Sequence, residues 1–335
     1  MDLVVTPIAY VRAITLAYAR YGIDATGLLR QARIAPSLLG RRNARLSSAQ
    51  MEAISAAAMR ELDDEALGWW SRRLPWGSYG MLARASLTAP DLQVALKRWL
   101  RHHRLICDDI GFRLDIGGAS TVTLSLQEDR PPWPGTRELC LTSTLRSVHS
   151  FASWIVDSRI VLQRVRMPFA APPWADAYAQ LFGCEPEFEA PAASMSFDAA
   201  YLALSVQRGE HAMRALLHRV LPLNVQPYRR DRLLMQRVRD MQSRRPETLA
   251  SAEALATALN VSVRTLHRQL GREGISLQQL KNESRQARAV DLLTRTRKSI
   301  KQIATEVGFG SEKSFARAFR QWTGRSPSAL RDEHG

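Results

Sequence analysis

Near its C-terminus the chain writes one short pattern twice, about 48 residues apart. The first copy runs Leu255-Ala256-Thr257-Ala258-Leu259-Asn260-Val261-Ser262-Val263-Arg264-Thr265-Leu266-His267-Arg268, and the second Ile303-Ala304-Thr305-Glu306-Val307-Gly308-Phe309-Gly310-Ser311-Glu312-Lys313-Ser314-Phe315-Ala316-Arg317. Each reads as an apolar helix, a turn on a residue that tolerates positive φ (Asn260, Gly308), a serine N-cap (Ser262, Ser311) and a second helix. That is a helix-turn-helix, present twice.

In the first second-helix, Val263, Leu266 and Leu270 fall at i, i+3 and i+7, so they bury one stripe and leave Arg264, His267 and Arg268 opposite. In the other, Phe315, Phe319 and Trp322 form the buried stripe, and Lys313, Ala316, Arg317 and Arg320 share the outer face. Such faces suit a major groove, where Arg bonds guanine O6 and N7 together and Lys or Arg neutralises phosphates. Glu312 runs against this charge; it can cap its helix dipole or accept from cytosine N4. Between the units, Leu277 to Thr294 lacks Gly and Pro and places Leu280, Ala287, Val290 and Leu293 at helical spacing, which predicts one connecting helix. A rigid connector would present both second helices to successive major grooves, about 34 Å apart. The bland alternative, a packing motif with a solvated basic face, loses ground when the unit occurs twice with matched cationic positions.

Residues from about Pro246 to Arg331 resemble the DNA-binding domain of the AraC/XylS family of bacterial transcription regulators. The likeness rests on Arg285, Ala289, Leu292 and Leu293, on Ile300, Ile303, Ala304, Val307, Gly308, Phe309, Phe315, Arg317 and Phe319, and on a closing Thr323-Gly324-Arg325-Ser326-Pro327-Ser328-Ala329-Leu330-Arg331. It implies base-reading positions at Arg264, His267 and Arg268 and at Lys313, Ser314 and Arg317. The full DNA-facing set is then Arg264, Thr265, His267 and Arg268 with Glu312, Lys313, Ser314, Arg317 and Arg320. Leu270 stands where many members carry Phe.

The charge follows the motifs. Residues 229–335 hold 22 Lys and Arg against 11 Asp and Glu, a net of +11, which leaves +4 of the chain's +15 for the rest. Such a field attracts a polyanion and makes binding salt-dependent; by itself it also fits a ribosomal or membrane-surface protein. Cys107, Cys140 and Cys184 are odd in number and lack metal-site spacing, which suits a reduced cytoplasm. With no apolar run of about 18 residues and no signal-peptide pattern, a cytoplasmic protein that meets no membrane is expected.

The 335 residues allow two or three domains. The first 222 read as α+β: helices over Val4 to Tyr21, Thr26 to Arg33, Ser47 to Glu61, Met81 to Leu87 and Asp91 to Leu105; a hairpin of Gly111 to Ile116 with Thr121 to Leu126; a helix from Arg137 to Ile155; then a strand (Ile160 to Met167), a helix (Trp174 to Phe182) and a strand (Ala193 to Phe197). A helix over Gln207 to Asn224 should end the domain, with 223–230 as linker and an all-α, double helix-turn-helix domain over 231–335, opening with a helix at Arg232 to Gln242. Pro75-Trp76-Gly77-Ser78-Tyr79-Gly80, Ala95-Leu96, His103-Arg104-Leu105, Leu181-Phe182-Gly183-Cys184, Met195-Ser196-Phe197-Asp198 and Tyr201-Leu202 resemble the arabinose-binding-like N-terminal domain of one AraC branch. This implies a domain that binds a small effector, dimerises, or both; the residues do not resemble the namesake's sugar-binding barrel, so arabinose is not implied.

Effector contacts are placed at Trp76, Tyr79, His102, His103 and Trp154, an aromatic and cationic group suited to a hydrophobic or carboxylate-bearing molecule, against the reading that most are core aromatics. His211 and His218 at i, i+7 favour a surface role over a metal site, and Asp108-Asp109 and Glu185, Glu187 and Glu189 read as solubilising. No Gly-x-Ser-x-Gly, phosphate-binding loop or His-Glu-x-x-His occurs, so no enzyme, cofactor or metal is expected. An alkyl-transfer DNA-repair protein would need four zinc-binding cysteines; a non-specific nucleoid protein is the other rival. The expected partners are double-stranded promoter DNA, a small effector, a second copy of the chain and, for such a regulator, RNA polymerase.

Overall fold

The computed structural model describes residues 4–117, 120–217, 231–244, 249 and 251–332. It divides into two compact units, Met1–Arg230 and Asp231–Gly335. The expected 223–230 linker and His218 lie outside the described residues.

In the first unit the chain opens with strand β1 (Val4–Pro7), then α1 (Ile8–Arg20) and α2 (Thr26–Gln31). The helix expected from Val4 therefore starts four residues late, because β1 pairs antiparallel with β2 (Arg45–Ser47), a partner distant in sequence. Helix α3 (Ser48–Glu61) begins at a capping box in which Ser47 Oγ accepts from Gln50 N–H and Gln50 reaches back. Helices α4 (Ser78–Ser86) and α5 (Leu92–Ile106) follow, the latter capped by Asp91 Oδ1.

The hairpin is β3 (Ile110–Gly117) with β4 (Thr121–Glu128), in continuous register from Ile110↔Glu128 to Gly117↔Thr121. In β4 the alternate residues Val122, Leu124 and Leu126 are buried, as period two requires. Helix α6 (Arg137–Ile155) matches its expected bounds. Then come β5 (Leu162–Arg166), α7 (Asp176–Phe182), β6 (Pro186–Glu187), β7 (Ser194–Asp198) and α8 (Glu210–Leu217). The five-stranded sheet has the order β3-β4-β7-β5-β6; only β5 and β6 run parallel. The expected Gln207 start shifts to Glu210, and residues 218–224 of that segment lie outside the described set.

Three consecutive acids, Asp63-Asp64-Glu65, organise the segment between α3 and α4. Asp64 is fully buried and accepts from the backbone N–H of Ala66 (3.0 Å), Gly68 (2.6 Å) and Leu74 (2.8 Å) and from Tyr21 OH (2.8 Å). Glu65 accepts from Gly77 and Tyr79 N–H, both at 2.8 Å, with Gly77 in the left-handed region at φ 96°. Asp109 does the same for Ser71, accepting from its N–H and Oγ, and sits 3.4 Å from Arg130. At 2% exposure Asp109 is structural rather than solubilising, since a buried carboxylate persists only when donors surround it.

The second unit is all helical: α9 (Arg232–Arg244), α10 (Ala252–Ala258), α11 (Val263–Arg272), α12 (Leu277–Arg295), α13 (Ile300–Glu306), α14 (Glu312–Thr323) and α15 (Pro327–Asp332). It holds two apolar cores. Leu234, Val238, Leu255, Leu266, Leu270 and Leu280 belong to one; Ala289, Leu293, Ile303, Phe315 and Phe319 belong to the other. The connecting helix α12 feeds both.

Candidate nucleic-acid interface

Each half of the second unit builds the same local device. Leu259 ends the first helix, Asn260 turns at φ 54°, and Ser262 Oγ caps α11 by accepting from Thr265 N–H at 3.1 Å. In the second half Gly308 turns at φ 82° and Ser311 Oγ accepts from Ser314 N–H at 3.2 Å. The residue in the third helical position repeats as well: Thr265 Oγ1 accepts from Ser262 Oγ at 2.9 Å, and Ser314 Oγ accepts from Ser311 Oγ at 3.0 Å while donating to Ser311 O at 2.8 Å. Both hydroxyls therefore stiffen the first turn of the helix that would meet DNA.

The buried stripes are as the periodicity requires. Leu266, Leu270, Phe315 and Phe319 are at most 1% exposed, and Val263 and Trp322 are half-buried. Gln269 is also buried, which the apolar pattern could not reveal. On the opposite faces Arg264, His267 and Arg268, and Glu312, Lys313, Arg317 and Arg320, are exposed. None of these four arginines and one lysine makes an ion pair among the described residues, whereas neighbouring cations do. Arg288 and Lys298 both hold Glu306, at 3.0 and 2.6 Å. The Lys298 hydrogen bond is the main cause that keeps the Glu306 carboxyl below the usual carboxylate range. The cations facing outward from α11 and α14 are thus uncommitted, and those at the base of α12 and α13 are spent on structure.

The connector is better defined than its sequence suggested. Serine 276 and Gln279 form a capping box at its start, and its inward face is Leu280, Ala289, Leu292 and Leu293. Ala287, expected inside, is exposed, and Ala289 is buried in the second core instead. Arg285 lies over the Phe309 ring, 5.3 Å from its centroid, and its Nη2 would come within 3.4 Å of a Cβ at Gly308. It thereby ties the second turn to the connector.

In the first unit the five expected effector residues separate. Tyr79 and His103 join one aromatic cluster: Tyr79 stacks on Trp99 at 5.9 Å, and Trp99 on His103 at 5.4 Å. Trp154 is reached from it through Phe151, at 6.4 Å. Trp76 is 38% exposed with the Arg60 guanidinium over its ring, away from that cluster. His102 is half-buried with Nδ1 unpartnered. Trp70, Trp99 and Phe112 complete the cluster, although only their aromatic character hinted at it. His149 lies elsewhere on α6, donating from Nε2 to Ile160 O at 2.8 Å.

The three cysteines are free, and among the described residues no group of three or more His, Cys, Asp or Glu could hold a metal. No described helix is long and apolar enough to cross a membrane.

A family profile described as the arabinose-binding N-terminal domain of AraC transcription regulators matches residues 22–206, more than half of the chain, and a helix-turn-helix domain profile matches residues 255–333. The chain belongs to the AraC family of transcription regulators. This AraC-family protein is 31% identical to the ornithine utilization regulator of Pseudomonas aeruginosa over 97% of its own length and 96% of that relative's. It is 27% identical to the transcriptional regulator VirS of Mycobacterium tuberculosis over 46% of its length and 45% of VirS. Among solved structures, the regulator CdpR from Pseudomonas aeruginosa aligns over 96% of this chain and 97% of its own at 22% identity, with a TM-score of 0.34. This regulator therefore binds DNA through its helix-turn-helix domain.

Proposed function

We propose that the regulator reads a promoter through α11 and α14 and that a small molecule bound to the first unit controls it. In this reading Arg264, His267 and Arg268, and Lys313, Ser314 and Arg317, face base edges, while Thr265, Glu312 and Arg320 flank them. Arg320 serves the phosphate backbone and Glu312 suits a cytosine amino group. The observation that carries the reading is the pair of matched faces whose cations are exposed and, among the described residues, free of ion pairs, on helices anchored by separate cores. Free guanidinium groups on a fixed helix lose little by turning to DNA, whereas groups already paired must first break a bond. The functional unit is a homodimer in the cytoplasm, over residues 1–222 for effector binding and dimerisation and 231–335 for DNA, acting together with RNA polymerase.

The test is selection of bound sites from random duplexes, followed by fluorescence anisotropy with the full chain at fixed salt. A sequence reader binds its selected site at least about 10³-fold more tightly than random competitor. Equal affinity for both would establish a nucleoid-type protein and overturn the reading.

A further inference from the structure

Strand β3 lies at one end of the five-stranded sheet and, among the described residues, pairs only with β4. Which way its backbone groups point follows from β4. Leu126 donates its N–H to Ala193 O at 2.8 Å, and Ser120, just before the strand, accepts at its C=O from Ala199 N–H at 2.9 Å. The even-numbered residues of β4 therefore turn their backbone groups to β7. Their partners in β3, through the register Phe112↔Leu126, Leu114↔Leu124 and Ile116↔Val122, turn N–H and C=O to the open edge. Among the described residues no hydrogen bond reaches these groups.

An open edge invites another strand, and proteins commonly blunt it with charge. Here the charges are of opposite sign and two residues apart, in the run Phe112-Arg113-Leu114-Asp115-Ile116. Arg113 and Asp115 share the polar face, 2.8 Å apart, with side chains 74% and 47% exposed. On the apolar face Leu114 is half-buried and Ile116 is 47% exposed, although Val122 beside it in β4 is fully buried. The apolar face thus runs out past its cover at this edge.

We propose that β3 is the dimer seam: it pairs antiparallel with β3 of a second copy about a twofold axis at Leu114, joining two five-stranded sheets into one. The inference deepens the homodimer reading above and rests on it. At this register Phe112, Leu114 and Ile116 meet Ile116, Leu114 and Phe112 of the second copy, and their outward groups make about six backbone hydrogen bonds. Each Arg113 stands opposite Asp115 of the other copy, twice over by symmetry, and Phe112 opposite Ile116 is an aromatic and β-branched pair. Hydrogen bonding lets the offset move only in steps of two residues, since outward residues must face outward residues. One step in one direction sets Arg113 against Arg113, and one step in the other sets Asp115 against Asp115. Like charges directly opposite are unfavourable, so charge selects a single register among those that the backbone allows.

Sedimentation velocity of the full-length chain over a concentration series reads the dimer Kd. Arg113→Asp and Asp115→Arg each set like charges opposite one another at both symmetric positions and should weaken self-association at least tenfold. Both side chains are exposed, so the melting temperature should stay near the parent's. Mixed in equal amounts, the two variants regain both opposite-charge pairs, and a heterodimer of near-parent affinity is expected; the double reversal Arg113→Asp with Asp115→Arg in one chain should likewise dimerise as the parent does. General damage to the strand would be repaired by neither. Parent-strength dimers in both single variants overturn the β3 seam and leave the homodimer reading standing, and so does a failure of both the mixture and the double reversal to recover while the parent dimerises. A parent chain that stays monomeric at high micromolar concentration overturns both.

Discussion

Replacing Arg268 or Arg317 with alanine isolates the chemistry of the two outward faces. Both side chains are exposed and make no ion pair among the described residues, so truncation uncovers no buried carboxylate and removes no core packing. Stability should therefore stay within about 0.5 kcal/mol of the parent. A bidentate arginine–guanine contact is worth about 1–3 kcal/mol of discrimination, which at 1.4 kcal/mol per decade is a loss of about 5- to 150-fold in affinity for the selected site. Affinity for random DNA should fall far less. A residue that only neutralised a phosphate would instead weaken every duplex alike and lower the salt slope by about one. Anisotropy titrations over a series of salt concentrations separate these outcomes, and Arg288→Ala is the control, since that side chain is held by Glu306 at 3.0 Å. Wild-type affinity, footprint and salt slope in both Arg268→Ala and Arg317→Ala would falsify the assignment of α11 and α14 as reading helices.

Gly308→Ala places a Cβ on a residue at φ 82° and 3.4 Å from Arg285 Nη2. A loss of about 1–2 kcal/mol is expected in urea unfolding, whereas Asn260→Gly at φ 54° should be close to neutral. Acid should weaken the first unit through its histidines: burial lowers His103 to about 4 and His149 to about 3, while both charge near pH 6.5 when unfolded. Their contribution is present above about pH 6.5 and is lost as pH falls toward the folded values, by up to about 1.4 kcal/mol per pH unit for each. Denaturant melts between pH 7 and 5 measure the slope; a His103→Phe protein with an unchanged slope would refute its share.

The second unit was readable because its determinants are local. Serine caps, a positive-φ residue and a 3.6-residue stripe all lie within fifteen residues of one another, and each copy corroborates the other. The first unit depends on distant partners. Val4–Pro7 becomes a strand only because Arg45–Ser47 lies beside it, and nothing in Asp63-Asp64-Glu65 announces that its acceptors serve N–H groups as far away as Tyr79. Asp109 looked like a solvated turn residue because its donors, Ser71 and Arg130, are 38 and 21 residues off. The aromatics were visible as residues, but which of them share a cluster was not: Trp76 turns outward to Arg60, while Trp70 and Phe112 join His103.

Helix α12 contributes Leu280 to one core and Ala289, Leu292 and Leu293 to the other, and on the proposed two-helix reading this makes chain length a determinant of operator grammar. Adding one residue between those anchors would advance the second half by about 1.5 Å and turn it by about 100°, leaving both cores intact but facing in the wrong direction. A substitution can change which letters are read, but only an insertion or deletion can change their phase. Moving one operator element by a single base pair rotates it by about 35° around the duplex, and a helix anchored at both ends does not yield to match it. If α11 and α14 both enter the duplex, as proposed, the bending and twisting that let a promoter of imperfect spacing engage them come from the DNA, and the stiffness of the spacer becomes part of the recognised sequence.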